Sequence, residues 1–176
     1  VGTQMIAKGL DFPKVTVVGI IQADLSLYLA DFRAQERTFQ LLTQVAGRAG
    51  RGQLRGQVFV QTFSPEHPCI HTARAQDYWA FYEHEVRQRK LANYPPFVRL
   101  ININIESREE RKGQDTGRKI KAELEDFRKL EPGKIVEILG PSVAPIARLR
   151  GRRRLQILIK VRDHASVTAV CERVRK

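Results

Sequence analysis

The sequence predicts a mixed α/β protein made of two units. A continuous run of β-branched and small apolar residues at 15–21 is typical of a buried parallel strand and marks the first unit. Isoleucines alternate with polar residues at 101–106, the period of a strand with one buried face, and mark the second. Between them, Tyr-Pro-Pro-Phe at 94–97 disfavours helix because proline restricts its own backbone and that of the preceding residue. We therefore expect domains at residues 1–92 and 97–176.

The first unit is expected to alternate strands and helices. A helix is predicted at 31–49, where Phe39, Leu42 and Val45 or Ala46 recur at helical spacing, and a second strand at 57–62. Ser64-Pro65 is interpreted as a helix start, and Asp77 as the cap of a further helix. That helix carries four aromatic residues, which either pack it onto a neighbour, the favoured interpretation, or form a base-stacking platform: Tyr78, Trp79, Phe81 and Tyr82.

The second unit is expected to follow the order β-α-β-β-α. A long charged helix is predicted at 108–128, and Asp163 is expected to cap a final helix containing Val167, Val170 and Val174. Strands are predicted at 135–139, 143–149 and 155–161, with Arg150-Gly151-Arg152 as a hairpin tip between the last two. This order is a ferredoxin-like plan that ends one strand short, so we expect the C-terminus to be truncated.

The charge of the chain favours a polyanionic partner. Its 176 residues carry a formal net charge of +12 with a pI of about 10.2. Residues 1–106 hold 12 basic and 9 acidic side chains, whereas residues 107–176 hold 19 and 10, so the second part contributes most of the field. The longest apolar run is too short to cross a bilayer, so no membrane partner is expected.

Metal and disulfide chemistry are not indicated. Cys69 and Cys171 are far apart without a CxxC pair, and the four histidines lack metal-ligand spacing, so we expect no metal site and a reducing compartment. The chain starts at Val1 without a recognisable signal sequence, and we expect it to be a fragment of something longer.

A basic run surrounds the predicted hairpin tip. No acidic residue occurs between positions 148 and 162, so we expect no acid to compete for the arginines there, whose side chains could bind phosphates with two nitrogens at once. A solvated surface face is the alternative. The predicted DNA contacts of this run are Arg148, Arg150, Arg152, Arg153 and Arg154.

The segment QVAGRAGRG at 44–52 carries a second arginine motif. Arg48 and Arg51 are three residues apart and would share one side of a helical turn, while Gly47 and its small neighbours would admit a phosphate closely. Such a pair can bind an oxyanion. The alternative is a glycine-rich helix end with exposed arginines.

These motifs support a resemblance to known helicases. The pattern QxxGRxGR resembles motif VI of superfamily 2 helicases, and GTQMIAKGLDFP at 2–13 resembles their motif V. More narrowly, these segments together with DFRA at 31–34, YPPF at 94–97 and the segment 139–154 are similar to bacterial primosomal replication-restart helicases, over nearly the whole chain. The resemblance implies that residues 1–92 are the C-terminal part of a second RecA-like helicase lobe.

The resemblance also implies roles for individual residues. Arg48 and Arg51 would face the γ-phosphate of ATP as arginine fingers, with Gln44 at the same cleft. Asp11 would lie near the ribose or couple nucleotide to DNA. The glycines assigned to the nucleotide site are Gly9 and Gly47, and the predicted DNA contacts of motif V are Thr3, Gln4 and Lys8, of which the last could equally be an exposed lysine.

The sequence departs from such helicases by lacking half of the ATPase site. It contains no GxxxxGK[ST], no DExH-type box and no eight-cysteine zinc region, so ATP and Mg²⁺ binding would need the complete protein and zinc would be bound outside this chain. The resemblance implies 3′ to 5′ unwinding at abandoned forks in the cytoplasm, close to the nucleoid. Partners would be single-stranded and branched DNA, primosome proteins and single-stranded DNA-binding protein. The alternatives are a free-standing, non-catalytic nucleic-acid-binding module or helicase remnant and, on the second half alone, a ribosome-associated interaction domain.

Overall fold

The computed structural model describes residues 16–47 and 56–175 and divides the chain into two compact units, Val1–Gln88 and Arg89–Lys176. The described residues form a mixed α/β structure with two small sheets and six helices. The predicted mixed α/β class is thus confirmed, and each unit is described by itself.

The first unit contains a two-stranded parallel sheet. Its elements are β1 (Val17–Ile20), α1 (Asp24–Leu27), α2 (Ala34–Ala46), β2 (Gln57–Val60), α3 (Pro68–Ala75) and α4 (Tyr78–Leu91), the last of which includes the boundary between the units. Val17 lies opposite Gln57 and Ile20 opposite Val60, so the prediction of a parallel strand is confirmed. The prediction that this strand is buried is wrong, because Val17 is 57% exposed where only two strands pair in the described part of the sheet.

The core of the first unit lies between α2, α3 and α4. Phe39, Leu42 and Val45 are buried on one face of α2, as their spacing predicts. The ring of Phe39 stacks on Phe81 of α4 with the centroids 4.2 Å apart. Cys69 is fully buried beside this cluster, and burial raises the pKa of its thiol to about 12, so the sulfur remains a neutral packing group.

The start of α3 differs from the prediction at Ser64-Pro65. These residues lie in a turn in which the backbone N–H of His67 donates to the Ser64 carbonyl oxygen at 3.0 Å. The helix begins three residues later, where Pro68 occupies the first turn and the His67 ring Nδ1 accepts a hydrogen bond from the Cys69 N–H at 3.2 Å. The rule that proline follows the cap is therefore correct, but it applies to the second proline.

The aromatic residues of α4 do not all pack inside the unit. Asp77 caps the helix as predicted, since its Oδ1 accepts from the Ala80 N–H at 2.9 Å. The packing interpretation is confirmed for Phe81, which is 4% exposed, but it is wrong for Trp79, which is 70% exposed. Tyr78 and Tyr82 are also exposed, and their rings contact that of Trp79. Helical spacing predicts which residues share a face but not which face is covered.

The second unit has the order β-α-β-β-α expected for its plan, with three strands where four were predicted individually. Its elements are β3 (Arg99–Ser107), α5 (Glu110–Leu130), β4 (Ile135–Leu149), β5 (Arg152–Val161) and α6 (His164–Val174). The sheet is antiparallel with β5 between β3 and β4. The two strands predicted at 135–139 and 143–149 form the single strand β4, whose register against β5 shifts between Leu139 and Ser142. Gly140 has φ +105°, and a Cβ there would lie 2.6 Å from the Gln156 carbonyl oxygen.

One face of this sheet holds the core. Ile157, Ile159 and Val161 of β5 are fully buried, together with Leu124 of α5 and Val170 of α6. The alternation predicted for β3 is confirmed by the burial of Ile105. Strand and helix periods therefore point their apolar sides at a shared core.

The last helix is capped as predicted. Asp163 Oδ1 accepts hydrogen bonds from the backbone N–H and the hydroxyl of Ser166, both at 2.8 Å. The hydrogen bond from the backbone lowers the pKa of the Asp163 carboxyl. This cap satisfies one of the free N–H groups at the start of α6.

Candidate nucleic-acid interface

The predicted nucleotide site lies mostly outside the described residues. Of its members, the structure describes Gln44 and Gly47. Gln44 is exposed in the last turn of α2, and the Gly47 N–H ends that helix by donating to the Thr43 carbonyl oxygen at 3.0 Å. The other motif V and motif VI residues remain predictions: Thr3, Gln4, Lys8, Gly9, Asp11, Arg48 and Arg51.

The basic hairpin, residues 148–154, lies within the described part of the second unit. Its turn consists of Arg150 and Gly151, whose φ angles are +50° and +75°. Two successive residues with positive φ match the two-residue turn that fits the right-handed twist of paired strands. Glycine adopts this conformation readily, whereas an arginine there is uncommon. The turn therefore projects the Arg150 side chain from the end of the hairpin.

The remaining arginines are divided between the two faces of the hairpin. Side chains alternate along β5, so Arg153 shares the face of the buried core residues, while Arg152 and Arg154 share the opposite face. Arg148 of β4 lies directly opposite Arg153. The structure thus separates a set that the sequence presents as one cluster at a tip.

Two carboxylates approach these arginines from other elements. The Arg153 guanidinium pairs with the Glu110 carboxylate at the start of α5. Arg154 Nε lies 3.1 Å from Glu106 Oε1, and these residues face each other across β3 and β5. The expectation that no acid competes for the arginines is therefore wrong. It rests on the local sequence, while both acids come from segments that only the fold brings close.

A groove lies between the hairpin and the first turns of α5. It has a volume of about 190 Å³, and its walls include the apolar side chains of Ile105, Val143 and Leu155. Arg148 and Arg153 also line it. Gly113 of α5 also lines it, and a Cβ at that position would lie 3.2 Å from Cβ of Ser107.

Lys160 belongs to the same basic run but points into the protein. Its side chain is only 6% exposed, and Nζ lies 2.7 Å from Glu137 Oε2 and donates to the Ala92 carbonyl oxygen at 2.8 Å. The ammonium also lies 4.3 Å from the centre of the Tyr94 ring. The Lys160 ammonium is therefore paired inside the second unit and does not contribute to the basic surface.

The long helix α5 neutralises much of its own charge. Four basic residues pair with an acid three positions earlier: Lys112 with Glu109, Arg118 with Asp115, Arg128 with Glu125 and Lys129 with Asp126. These pairs are exposed and contribute little to stability. They do reduce the field that the helix presents to an anion, so the hairpin is the better candidate for phosphate binding.

The described part of the chain contains no candidate metal site and no candidate membrane-spanning helix. Residues 16–47 and 56–175 contain no group of three His, Cys, Asp or Glu side chains that could bind a metal. Both cysteines are free thiols. None of the described helices is long and apolar enough to span a bilayer.

Comparison with known proteins defines the class to which this fold and surface belong. Residues 90–176 match the family described as Primosomal protein N C-terminal domain, so the second unit is of the primosomal protein class. The whole chain is similar to proteins named replication restart protein PriA. It is 44% identical to the Bacillus subtilis protein over 98% of this chain and 44% identical to the Synechocystis protein over 100%. The Chlamydia pneumoniae protein is 56% identical over 57% of this chain.

The chain belongs to the PriA family and carries its C-terminal domain. It spans 21% of the length of the Bacillus subtilis and Synechocystis relatives.

Proposed function

We propose that this chain is the C-terminal part of an ATP-dependent 3′ to 5′ DNA helicase that restarts replication and assembles the primosome at stalled forks. The observation that carries the proposal is the 44% identity to a replication restart protein over all 176 residues. That alignment includes both helicase-like motifs as well as the basic domain. Residues 1–92 would form part of the second RecA-like lobe, and residues 97–176 a ferredoxin-like domain.

The first part would complete an ATPase site formed mainly by another lobe. Arg48 and Arg51 would stabilise charge on the transferring phosphoryl group. The residues that hold ATP and Mg²⁺ would lie mainly in the part of the complete protein outside this chain. Two observations support this role. The parallel pairing of β1 and β2 is the arrangement used in such lobes, and Gln44 is exposed at the end of α2, immediately before the arginine motif.

The second part would contact the DNA backbone. The basic hairpin combines an exposed tip arginine with further arginines on both faces, and guanidinium groups bind phosphate oxygens in pairs. Single-stranded and branched DNA are the proposed ligands, with primosome proteins and single-stranded DNA-binding protein as further partners of the complete protein.

Salt-dependent DNA binding tests the role of the hairpin. Replacing Arg150, Arg152, Arg153 and Arg154 together by Ser should weaken binding of the 176-residue chain to forked and single-stranded DNA. Each lost phosphate contact removes about 0.7 to 0.9 from the slope of log affinity against log salt, so the slope should become shallower by roughly 1.4 to 1.8 units if Arg150 and Arg152 alone contact phosphates, and by up to about 3.6 units if all four arginines do. Base sequence should matter little.

A variant on α5 controls for the general loss of positive charge, with the change in slope compared per charge removed because it removes two charges and the hairpin variant four. Lys119 and Lys121 lie on α5, outside the hairpin, and their replacement by Gln should leave most of the slope in place. Fluorescence anisotropy titrations at several salt concentrations would measure both variants. An unchanged slope in the quadruple variant would show that the hairpin is only a solvated face. The basic residues of α5 would then be the next candidates for DNA binding.

A further inference from the structure

We infer that Glu106 and Glu110 act as internal competitors of DNA, which hold Arg154 and Arg153 and leave phosphate binding to Arg148, Arg150 and Arg152. The inference rests on the proposed DNA-binding function of the hairpin. It assigns different roles to arginines that the sequence presents as equivalent.

The Arg154 pair lies across the sheet. Arg154 and Glu106 are direct neighbours on β5 and β3, the position in which opposite charges stabilise strand pairing. The Arg154 side chain is only 18% exposed, so few of its nitrogens are available to a large polyanion outside the protein. Its charge is already balanced by the carboxylate 3.1 Å from Nε.

The Arg153 pair offsets a repulsion within the hairpin. Arg153 lies directly opposite Arg148, and like charges in that position destabilise a strand pair. The Glu110 carboxylate draws the Arg153 guanidinium towards α5. This arrangement leaves Arg148 as the arginine of that pair that can bind a phosphate.

The three remaining arginines are available. Within residues 16–47 and 56–175, Arg148, Arg150 and Arg152 form no ion pair or side-chain hydrogen bond, and all three are exposed. They surround the turn, two on the strand ends and one at the tip. A phosphate backbone that passes the end of the hairpin could contact all three without breaking an existing ion pair.

The test is a gain of affinity when an acid is neutralised. Glu110→Gln in the 176-residue chain keeps the size of the side chain but releases Arg153. Binding to a fluorescein-labelled 20-nucleotide oligothymidylate should tighten roughly three- to tenfold at low salt, and the salt slope should steepen by about 0.7, the value for one added contact with single-stranded DNA. Glu106→Gln should act in the same direction through Arg154.

The control is the neighbouring Glu109→Gln. It removes the same charge one residue away, but Glu109 pairs with Lys112 at 2.8 Å and does not hold an arginine of the hairpin. Its slope should stay near that of the unmodified chain. An equal gain from Glu109→Gln and Glu110→Gln would overturn the inference, because the effect would then be a general change of field.

A double-mutant cycle connects the gain to Arg153. Arg153→Ser alone should leave the slope almost unchanged, whereas in the Glu110→Gln background it should remove the whole gain. A loss of about 0.7 from the slope with Arg153→Ser alone would overturn the inference, because Arg153 would then already contact a phosphate. The Glu110 side chain is more than half exposed, so the Glu110→Gln chain should fold. The Glu110→Gln variants therefore test the inference even if Glu106→Gln does not fold.

The outcomes separate this inference from the proposed function. Suppose the unmodified chain binds DNA with a salt slope that depends on the hairpin, but Glu110→Gln does not increase the affinity. The proposed DNA-binding function then stands, and only the inference that Glu106 and Glu110 compete with DNA is wrong. If the unmodified chain shows no salt-dependent binding, both the proposed DNA-binding function and the inference about Glu106 and Glu110 are wrong.

Discussion

Lys160 shows how the surroundings of a single residue decide whether its charge is available to a ligand. It occurs in the same acid-free run as the hairpin arginines, yet its ammonium contacts Glu137, the Ala92 carbonyl oxygen and the Tyr94 ring. These contacts link the segment before β3 to the middle of the sheet within the second unit. Lys160 therefore has a structural role, and a DNA-binding role is not expected for it.

Lys160→Met should destabilise the chain. Removing one member of a fully buried ion pair costs about 3–5 kcal/mol, but Glu137 is 44% exposed and can regain water, so we expect a loss of about 1–3 kcal/mol. The midpoint of urea unfolding, followed by circular dichroism, would measure it. Lys119→Met on the exposed face of α5 is the matched control and should change the midpoint little. Equal midpoints for the two variants would contradict the role given to Lys160.

Arg51 is the second residue whose role can be tested singly, in the complete protein. If it stabilises the transition state of ATP hydrolysis, Arg51→Ala should lower the DNA-stimulated ATPase rate by roughly three to five orders of magnitude while nucleotide and DNA affinity change little. Arg51→Lys should rescue poorly, because an ammonium lacks the planar fork of a guanidinium. Steady-state phosphate release measures the rate, and near-normal turnover of a folded Arg51→Ala protein would show that the segment is only structural.

Among the elements, α5 lies closest to the sheet at a position without a side chain. A Cβ on Gly117 would lie 2.9 Å from Cβ of Pro141 in β4 and 3.4 Å from Ile105 Cδ1. Gly113, one turn earlier, comes similarly close to Ser107. Glycine is a weak helix former, so its use twice on one face of α5 reflects the space required for this contact.

Gly117→Leu should therefore destabilise the chain although leucine favours helix by up to about 1 kcal/mol. The added side chain must displace Pro141 or lift α5 from the sheet, and overpacking of this kind costs about 1–3 kcal/mol or more. We expect a net loss of about 1–2 kcal/mol in urea unfolding, since the gain in helix propensity offsets part of the overpacking cost. Gln114→Leu, at an exposed position of the same helix, is the control and should not be destabilising. A Gly117→Leu chain as stable as its parent would mean that the helix and sheet are separated more than the structure indicates.

The elements also show what the sequence can predict here. The order of the second unit, the face of β3 and the cap at Asp163 follow from alternation and capping chemistry, which are local properties. The sequence does not predict that β4 continues through Gly140-Pro141, because glycine and proline usually indicate a break in a strand. In the structure, the pairing of β4 with β5 resumes at Ser142 after a register shift. Local patterns specify elements better than they specify how far an element extends.

The candidate interface shows a limit of another kind. The turn at Arg150-Gly151 and the basic run can be read from the sequence, but Glu106 and Glu110 are distant along the chain and reach the hairpin through strand pairing and through α5. The one indication of these contacts in the sequence is the alternation of β3. It predicts the face of the strand on which Glu106 lies, but it does not identify Arg154 as the residue that Glu106 contacts. Register depends on tertiary packing and cannot be fixed from one strand.

At the scale of the whole molecule, charge and the helicase-like motifs are distributed unequally. The second unit contains most of the positive charge and the basic hairpin, while the motifs that resemble those of helicases lie in the first. The chain spans 21% of the length of its Bacillus subtilis relative, so the proposed enzyme needs residues that this chain does not supply. DNA binding and ATP hydrolysis should therefore be separable in experiments on the 176-residue chain.

The chain by itself should bind DNA but should not hydrolyse ATP. Arginine fingers stabilise a phosphoryl group that other residues must hold, and the 176 residues contain neither a GxxxxGK[ST] phosphate loop nor a DExH-type acidic box for Mg²⁺. Phosphate release in the presence of ATP, Mg²⁺ and single-stranded DNA should equal that of buffer. The Arg51→Ala chain is the control for contaminating ATPases, since a contaminant would act equally in both preparations. Turnover that is present in the unmodified chain and absent from Arg51→Ala would mean that the chain contains a complete active site, and it would contradict the assignment of the phosphate and Mg²⁺ ligands to another lobe.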